Sequence, residues 1–309
     1  MPIRTGVDTL QQTSRPTPVR LALALLCCAA LGCGASSAAG RAMPPCLILD
    51  APPPLYRASL GLLPDSELDD QGDTSFLELD ADRALGFLKL DDSALDMRLR
   101  MHLAVVLDST DAELPNQLLS LAADTGWTVR HPSGSALQFR AAPGFYTDLE
   151  GFESGAFNMP VSLALVHRVS PDLSGILGAR MRPGFNTPIL PLIGVTWTPA
   201  DRVRVEAHLP RSRAAWYVNQ KWSTAFGLAW RPRGYHLNDD NLGRDTVNVE
   251  DWRAMLEVTR HLHIDFSLTT RIGYAFHRRV VFDRGAGSIP EEIDLDGNWF
   301  VAVGCAGPF

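Results

Sequence analysis

The sequence predicts an all-β fold, a single antiparallel transmembrane β-barrel of about 12 strands. Apolar and polar residues alternate along many segments, short and long connections alternate between those segments, and no segment has a convincing helical period. No apolar run reaches the roughly eighteen residues that a membrane-spanning helix needs. The composition, 46% hydrophobic and 20% charged, is ordinary for a folded chain.

The N-terminal segment has the layout of a secretory signal. The apolar run Leu21–Cys33 follows basic residues and precedes a stretch of small residues. Cleavage after Ala39 would make residues 1–39 a signal peptide. A competing interpretation takes Ala30–Cys33 as a lipobox, which makes Cys33 a candidate for lipidation.

Residues 40–74 are rich in Pro, Ala and Gly and end in an acidic patch. Such a composition is typical of a tether with no core of its own, so the barrel is expected at residues 75–309. Loss of residues 1–39 removes three Arg and one Asp, which changes the formal charge from −7 to −9. An acidic, exported chain argues against nucleic-acid binding.

The predicted strands rest on period-two patterns. Side chains alternate across a strand, so each such segment has one apolar and one polar face. Thirteen candidate strands can be counted. Because bacterial barrels have even strand numbers, we expect either that one assignment near Leu77–Leu90 is wrong or that this stretch splits. The clearest patterns cover Met97–Leu107, Leu119–Arg130, Asp201–Leu209, Trp252–Val258 and Asp265–Phe276.

The connections between these segments differ in length at the two ends of the predicted barrel. Ser170–Asp172 and Val218–Lys221 are short, whereas Asp148–Ala156 and Arg231–Asp245, at the other end, are long. Short periplasmic turns and long external loops are typical of outer-membrane barrels. Pro210–Arg213 is an exception, because it is short where a long loop is expected.

Aromatic residues lie near several predicted strand ends, where an interfacial belt is expected. They are Tyr146, Trp197, Trp222, Trp230 and Trp299. The chain ends in Phe309 after an alternating segment, and a terminal aromatic residue on the last strand is a signal for barrel assembly. We therefore expect the barrel-assembly machinery and outer-membrane lipids as partners.

Charged residues on the polar faces are the candidates for lining a lumen. An arginine that faced lipid near the bilayer midplane would cost about 2–4 kcal/mol, so we expect these side chains to face the interior. They could form a pore or ligand site, or a salt-bridged network that fills a small barrel, and the sequence leaves both alternatives open. The candidates are Arg98, Arg100, Arg204, Glu206, Asp251, Arg253, Glu257, Asp265 and Arg271.

The sequence contains no motif of a common enzyme class. Gly-x-Ser-x-Gly, His-Glu-x-x-His, Cys-x-x-Cys and a phosphate-binding glycine loop are all missing. Three isolated histidines on polar faces, His102, His208 and His277, keep an outer-membrane hydrolase as an alternative. We predict that the protein is not an enzyme, and we expect no catalytic residues, metal or cofactor.

Four segments resemble the recurring motifs of an uncharacterised bacterial outer-membrane β-barrel family, known only as a domain of unknown function. The resemblance is clear over residues 143–309 and weaker over residues 75–142. It implies a β-barrel exported to the outer membrane and carries no catalytic residues. The segments are Leu190–Pro199, Val205–Arg213, Glu250–Val258 and Arg271–Phe282.

These observations predict a passive outer-membrane pore or a structural barrel, with a lumen lined by Arg, Glu and Asp. The first alternative is a soluble or lipid-anchored periplasmic β-barrel that binds an apolar ligand, because soluble barrels also segregate polar from apolar residues. An outer-membrane hydrolase is the second alternative. The sequence identifies no solute.

Overall fold

The computed structural model describes residues 56–67, 73–107, 114–151, 153–238, 244–262, 266–283 and 290–307. The predicted signal peptide, the lipidation candidate Cys33, the lumen candidate Asp265 and the terminal Phe309 lie outside these residues. Across the described ranges, no helix is both long and apolar enough to span a membrane.

The described chain is built almost entirely from β-strands, with one turn of 3-10 helix at Ser154–Ala156. The strands are β1 (Tyr56–Glu67), β2 (Asp73–Lys89), β3 (Ser93–Val106), β4 (Gln117–Arg130), β5 (Ser135–Ala141), β6 (Gly144–Thr147), β7 (Phe157–Asn158), β8 (Val161–Ser170), β9 (Leu173–Met181), β10 (Ile189–Ala200), β11 (Val203–His208), β12 (Arg211–Tyr217), β13 (Trp222–Trp230), β14 (Arg233–His236), β15 (Thr246–His261), β16 (Ser267–Asp283), β17 (Glu291–Leu295) and β18 (Asn298–Gly307).

Fourteen of these strands form a closed antiparallel ring, which confirms the all-β barrel and corrects the predicted number of about 12. The ring runs through β1 to β5, β8 to β13, β15, β16 and β18. It closes where β1 pairs with β18, with Leu60 opposite Val303. Closure removes both sheet edges, which an open sheet would leave unpaired.

The strand missing from the sequence count is β1. It lies within the range interpreted as a tether, so the barrel starts earlier in the chain than residue 75. The Pro and Ala around it hide a short pattern in which Leu60 and Leu62 alternate with Gly61 and Leu63. The segment near Leu77–Leu90, where a wrong assignment or a split was expected, contributes most of the single continuous strand β2.

The apolar parity of the ring strands faces outward. Leu163, Ile272 and Val303, on three different strands, are 52%, 49% and 53% exposed. In β16, Leu268, Ile272, Tyr274 and Phe276 share the exposed face, while Ala275 between them is fully buried. An exposed apolar surface of this extent marks a site of contact with a membrane or another protein.

Proline residues divide three of the ring strands near the end with the long connections. Pro143 separates β5 from β6, Pro160 separates β7 from β8, and Pro232 separates β13 from β14. Proline has no N–H to donate, so the pairing of each strand is interrupted there. Beyond the interruption, β6 continues to pair with β4, and β14 with β15.

The barrel narrows at this end because β6 and β14 meet. A parallel bridge joins Thr147 to His236, although lower down five ring strands separate β5 from β13. Asn238 strengthens the junction, since its backbone N–H donates to Asp148 Oδ2 at 2.8 Å. The space inside is filled by a buried apolar core that includes Leu63, Phe76, Leu118, Tyr235, Val247, Val280 and Phe282.

The connections at the opposite end are short, and the described chain begins and ends there with the pairing of Tyr56 and Gly307. The β8–β9 connection is two residues long and the β12–β13 connection four. The predicted exception is also present, because only Leu209 and Pro210 lie between β11 and β12.

Candidate functional site: the barrel interior

Inward side chains bond directly across the barrel. Arg253 on β15 donates from Nη1 and Nη2 to the two carboxylate oxygens of Glu78 on β2, both at 2.7 Å. Three ring strands, β16, β18 and β1, separate these two strands. The pair therefore spans the interior, and both residues are buried.

Other charged groups join this pair in what we term the cross-barrel cluster: Glu78, Asp80, His102, Arg231, Arg233, Asp251 and Arg253. Arg231 donates to Glu78 at 2.9 Å, and Arg233 donates to Glu78 and Asp80, both at 3.3 Å. Arg253 also donates to Asp251 at 2.6 Å. Shared carboxylates of this kind offset the cost of burying several guanidinium groups together.

His102 connects two members of the cross-barrel cluster. Arg233 Nη1 lies 2.6 Å from His102 Nε2, and His102 Nδ1 lies 2.9 Å from Asp80 Oδ1. Because arginine can only donate, Nε2 is the acceptor and Nδ1 carries the proton. This histidine, which the sequence placed alone on a polar face, is a neutral bridge between a cation and a carboxylate.

A β-bulge in β16 positions the acidic side of the cluster. The register shifts between Glu250 and Trp252, and His277 opposite them has a left-handed backbone with φ of 47°. Beside the bulge, the consecutive residues Glu250 and Asp251 of β15 are both buried. Glu250 then pairs with Arg279 at 2.9 Å, and Asp251 faces Arg253.

A second group of ion pairs lies nearer the short connections. Asp124 receives Arg100 at 2.7 Å and Arg140 at 2.9 Å, and Arg140 also reaches Asp96 at 2.8 Å. Arg98 pairs with Asp82 on the neighbouring β2. The predicted candidates Arg98 and Arg100 thus have partners that sequence analysis did not single out.

The other described candidates pair among themselves. Glu257 accepts from Arg271 at 2.7 Å, and it also accepts from Arg213 at 2.8 Å. Arg204 pairs with Glu206 on the same strand at 2.8 Å. Asp251 and Arg253 also pair with each other, so each of the eight described candidates has an ion-pair partner. All eight lie on the inward parity of their strands.

A cavity of about 370 Å³ lies below the β6–β14 junction, and we term it the chamber. Its apolar wall includes Tyr146 and Phe185, whose rings meet edge to face with centroids 5.5 Å apart. Gly234 allows this arrangement, since a Cβ atom there would collide with the Phe185 ring. Six arginines line the chamber: Arg100, Arg140, Arg180, Arg182, Arg231 and Arg233.

One aromatic residue predicted for an interfacial belt is placed differently. Tyr146 points inward to the chamber, whereas Trp230 shares the outward parity of Trp222 on β13 and stacks on Trp252 of β15 with centroids 6.0 Å apart. Trp197, Trp222 and Trp299 are exposed, at 49%, 41% and 62%. Tyr146 lies in β6, after the interruption at Pro143. Its position near a strand end therefore did not show whether its side chain faces inward or outward.

Among the residues that the structure describes, no group of three or more His, Cys, Asp or Glu side chains is arranged to hold a metal ion. His208 and His277, the other isolated histidines, have local roles. His208 Nε2 lies 3.0 Å from Thr196 Oγ1, and His277 occupies the bulge.

A closed antiparallel barrel with an apolar outer belt and ion pairs across its interior has the architecture of the outer-membrane class of β-barrel proteins. The chain belongs to the family described as a domain of unknown function (DUF6268), whose match covers residues 136–305. No curated protein matches the chain.

Solved structures with similarity to the chain include outer-membrane channels. The COG4313 outer membrane channel from Pseudomonas putida F1 is 12% identical with a TM-score of 0.44, over 87% of this chain and 100% of that one. The NanC porin is 8% identical with a TM-score of 0.38, over 82% and 100%. The P. putida toluene transporter TodX is 10% identical with a TM-score of 0.35, over 84% and 91%.

Proposed function

We propose that the protein is a passive outer-membrane channel that favours small anions. The observation that carries the proposal is the excess of arginine over acidic side chains on the inward face below the cross-barrel cluster. The arginines are Arg57, Arg98, Arg100, Arg140, Arg180, Arg204, Arg211, Arg213 and Arg271, against Asp82, Asp96, Asp124, Glu206 and Glu257.

The outer belt supports a place in the membrane. Apolar side chains are exposed on strands all around the ring, and the two ends of the barrel differ in the length of their connections. In this proposal outer-membrane lipids cover the belt. The barrel-assembly machinery recognises the last strand, β18.

The charge excess supports selectivity for anions. Every inward acid named above has an arginine close by, whereas Arg57 takes part in no ion pair among the described residues and Arg211 lies 3.9 Å from a carboxylate that two other arginines already share. Within a narrow, weakly screened lumen such guanidinium groups attract anions and repel cations.

Planar-bilayer recording of the purified full chain tests the channel. We expect open channels that pass chloride better than potassium. In Arg57→Gln and in Arg211→Gln this preference should weaken, so the reversal potential should shift toward zero. Arg260→Gln is the matched control. Arg260 lies on the outward parity over the Trp222 ring, so this substitution removes the same charge from outside the lumen.

A second candidate function follows from the apolar core and the cross-barrel cluster, which together fill the end with the long connections. In that case the barrel has a structural role and conducts no ions. Folded, heat-modifiable protein that leaves the bilayer silent would favour this alternative and contradict the channel.

A further inference from the structure

Two arginines in the chamber, Arg180 and Arg182, stand apart from the interior's ion pairs. Neither forms an ion pair with any residue that the structure describes. Arg140 and Arg100, by contrast, share Asp124, and Arg231 and Arg233 share Glu78 and Asp80. The chamber therefore contains positive charge that the described acids do not compensate.

Arg182 is held in place but retains an unused donor. The residue is 6% exposed, its Nη1 donates to the Pro232 carbonyl at 2.6 Å, and its guanidinium carbon lies 4.4 Å from the centre of the Phe185 ring. Its Nη2 donates no hydrogen bond to any residue that the structure describes. An acceptor that enters the chamber would give this donor a charge-assisted partner.

The position of Arg180 is set by its neighbours in the sheet. It pairs with Ser162 on β8 and with Leu190 on β10, and both of these residues also line the chamber. Its neighbours across the sheet are therefore one hydroxyl and one apolar residue, while Arg100, Asp124 and Arg140 interact with its guanidinium group at longer range. An arginine presents a planar fork of donors that matches the two oxygens of a carboxylate.

The remaining wall of the chamber is apolar and partly aromatic. Tyr146, Phe185 and Leu190 contribute to it, and the volume of about 370 Å³ is at the small end of the roughly 300–1,000 Å³ typical of ligand pockets. An inorganic ion would leave this wall without contacts. A ring-sized apolar body attached to an anionic group would use both the wall and the arginines.

We propose that the chamber is a binding site for small organic carboxylates with an apolar, ring-sized body, held by Arg180 and Arg182 against the Tyr146 and Phe185 rings. This proposal deepens the proposed function, on which it rests, by naming the class of anion. The ligand's carboxylate accepts from the two guanidinium groups, and its body packs on the aromatic wall.

Equilibrium dialysis of radiolabelled benzoate against the full chain in detergent micelles, corrected with empty micelles, tests the site. We expect saturable binding that falls by about tenfold or more in Arg180→Gln and in Arg182→Gln, because each loses a charged donor. Benzamide, the uncharged analogue, should bind at least about tenfold more weakly.

Arg213→Gln is the matched control, since it removes an interior arginine outside the chamber and leaves Glu257 paired with Arg271. It should bind benzoate as the unaltered chain does. Arg180 makes none of the ion pairs described, so its replacement is less disruptive to folding than that of a paired arginine. Heat modifiability checks that each variant has folded.

No saturable benzoate binding, equal binding of benzamide, or normal binding in folded Arg180→Gln would each overturn the proposal. Dialysis does not depend on conduction, so the two proposals fail separately. Benzoate binding to a barrel that passes no ions would refute the channel alone, whereas a conducting barrel that binds no benzoate would refute the chamber site alone.

Discussion

At the scale of single residues, Glu78 is the acid on which most interior charge depends. Its carboxylate accepts from Arg231, Arg233 and Arg253, and its side chain is 11% exposed. Removing one member of a buried ion-pair network leaves the other charges uncompensated, which costs more than the net contribution of the intact pairs. The shape of the interior thus rests on one carboxylate contacted by three guanidinium groups.

We therefore expect Glu78→Gln to lower the free energy of unfolding by about 3 kcal/mol, measured by urea unfolding in detergent micelles. Glu292→Gln is the control, because Glu292 is half exposed and its partner Arg279 keeps Glu250. That variant should change stability by less than about 1 kcal/mol. Similar losses in both variants would show that the cross-barrel contacts contribute nothing specific.

The sequence predicts which side chains face inward, but it does not predict which residues they contact. Glu78, Asp80 and Asp82 alternate along β2, so their shared face was readable from periodicity, and so was that of Arg180 and Arg182. Their partners depend on which strand stands opposite, which ring size and register decide. No local pattern reveals that Arg253 reaches Glu78 or that Arg180 forms no ion pair with a described acid.

At the scale of strands, β16 shows how far periodicity carries. Its predicted apolar parity is the exposed face in the structure, from Leu268 to Phe276. The alternation failed to anticipate the bulge at His277, because a bulge inserts one residue without a compositional signal. It also missed β1, whose short pattern is surrounded by Pro and Ala.

This placement of β16 leads to a prediction about assembly. Leu268→Arg and Ile272→Arg put a charge on the outer belt, at a cost of about 2–4 kcal/mol each near the midplane of a bilayer, and should lower the yield of heat-modifiable barrel in membranes. Arg271→Ala, on the inward face between them, should still insert, since Glu257 retains Arg213. Unchanged yields of both belt variants in membranes would contradict the lipid-facing position of this face of β16.

At the scale of the whole molecule, closure of the ring depends on a pairing between the first and last described strands. Seven residue pairs join β1 to β18, from Tyr56 opposite Gly307 to Leu62 opposite Val301. The paired residues are separated by nearly the whole length of the described chain. The pairs therefore form only when every intervening strand is in register. If the range 40–74 were a tether, none of these pairs would exist.

A disulfide can report this closure, because Ala58 and Cys305 are direct cross-strand partners on the same face. Opposite residues in an antiparallel pair have Cα atoms about 4.5–5.5 Å apart, within the range that a disulfide spans. We expect Ala58→Cys, in a chain from residue 40 with Cys46→Ser, to crosslink on mild oxidation and to resist unfolding on heating in detergent. Ser59→Cys should not crosslink, since Ser59 pairs with Gly304 and its side chain points to the other face. Mass spectrometry of proteolytic fragments identifies the linked peptides. Equal crosslinking in the two variants, or none with Ala58→Cys in folded protein, would contradict both the register and the closed fourteen-stranded ring.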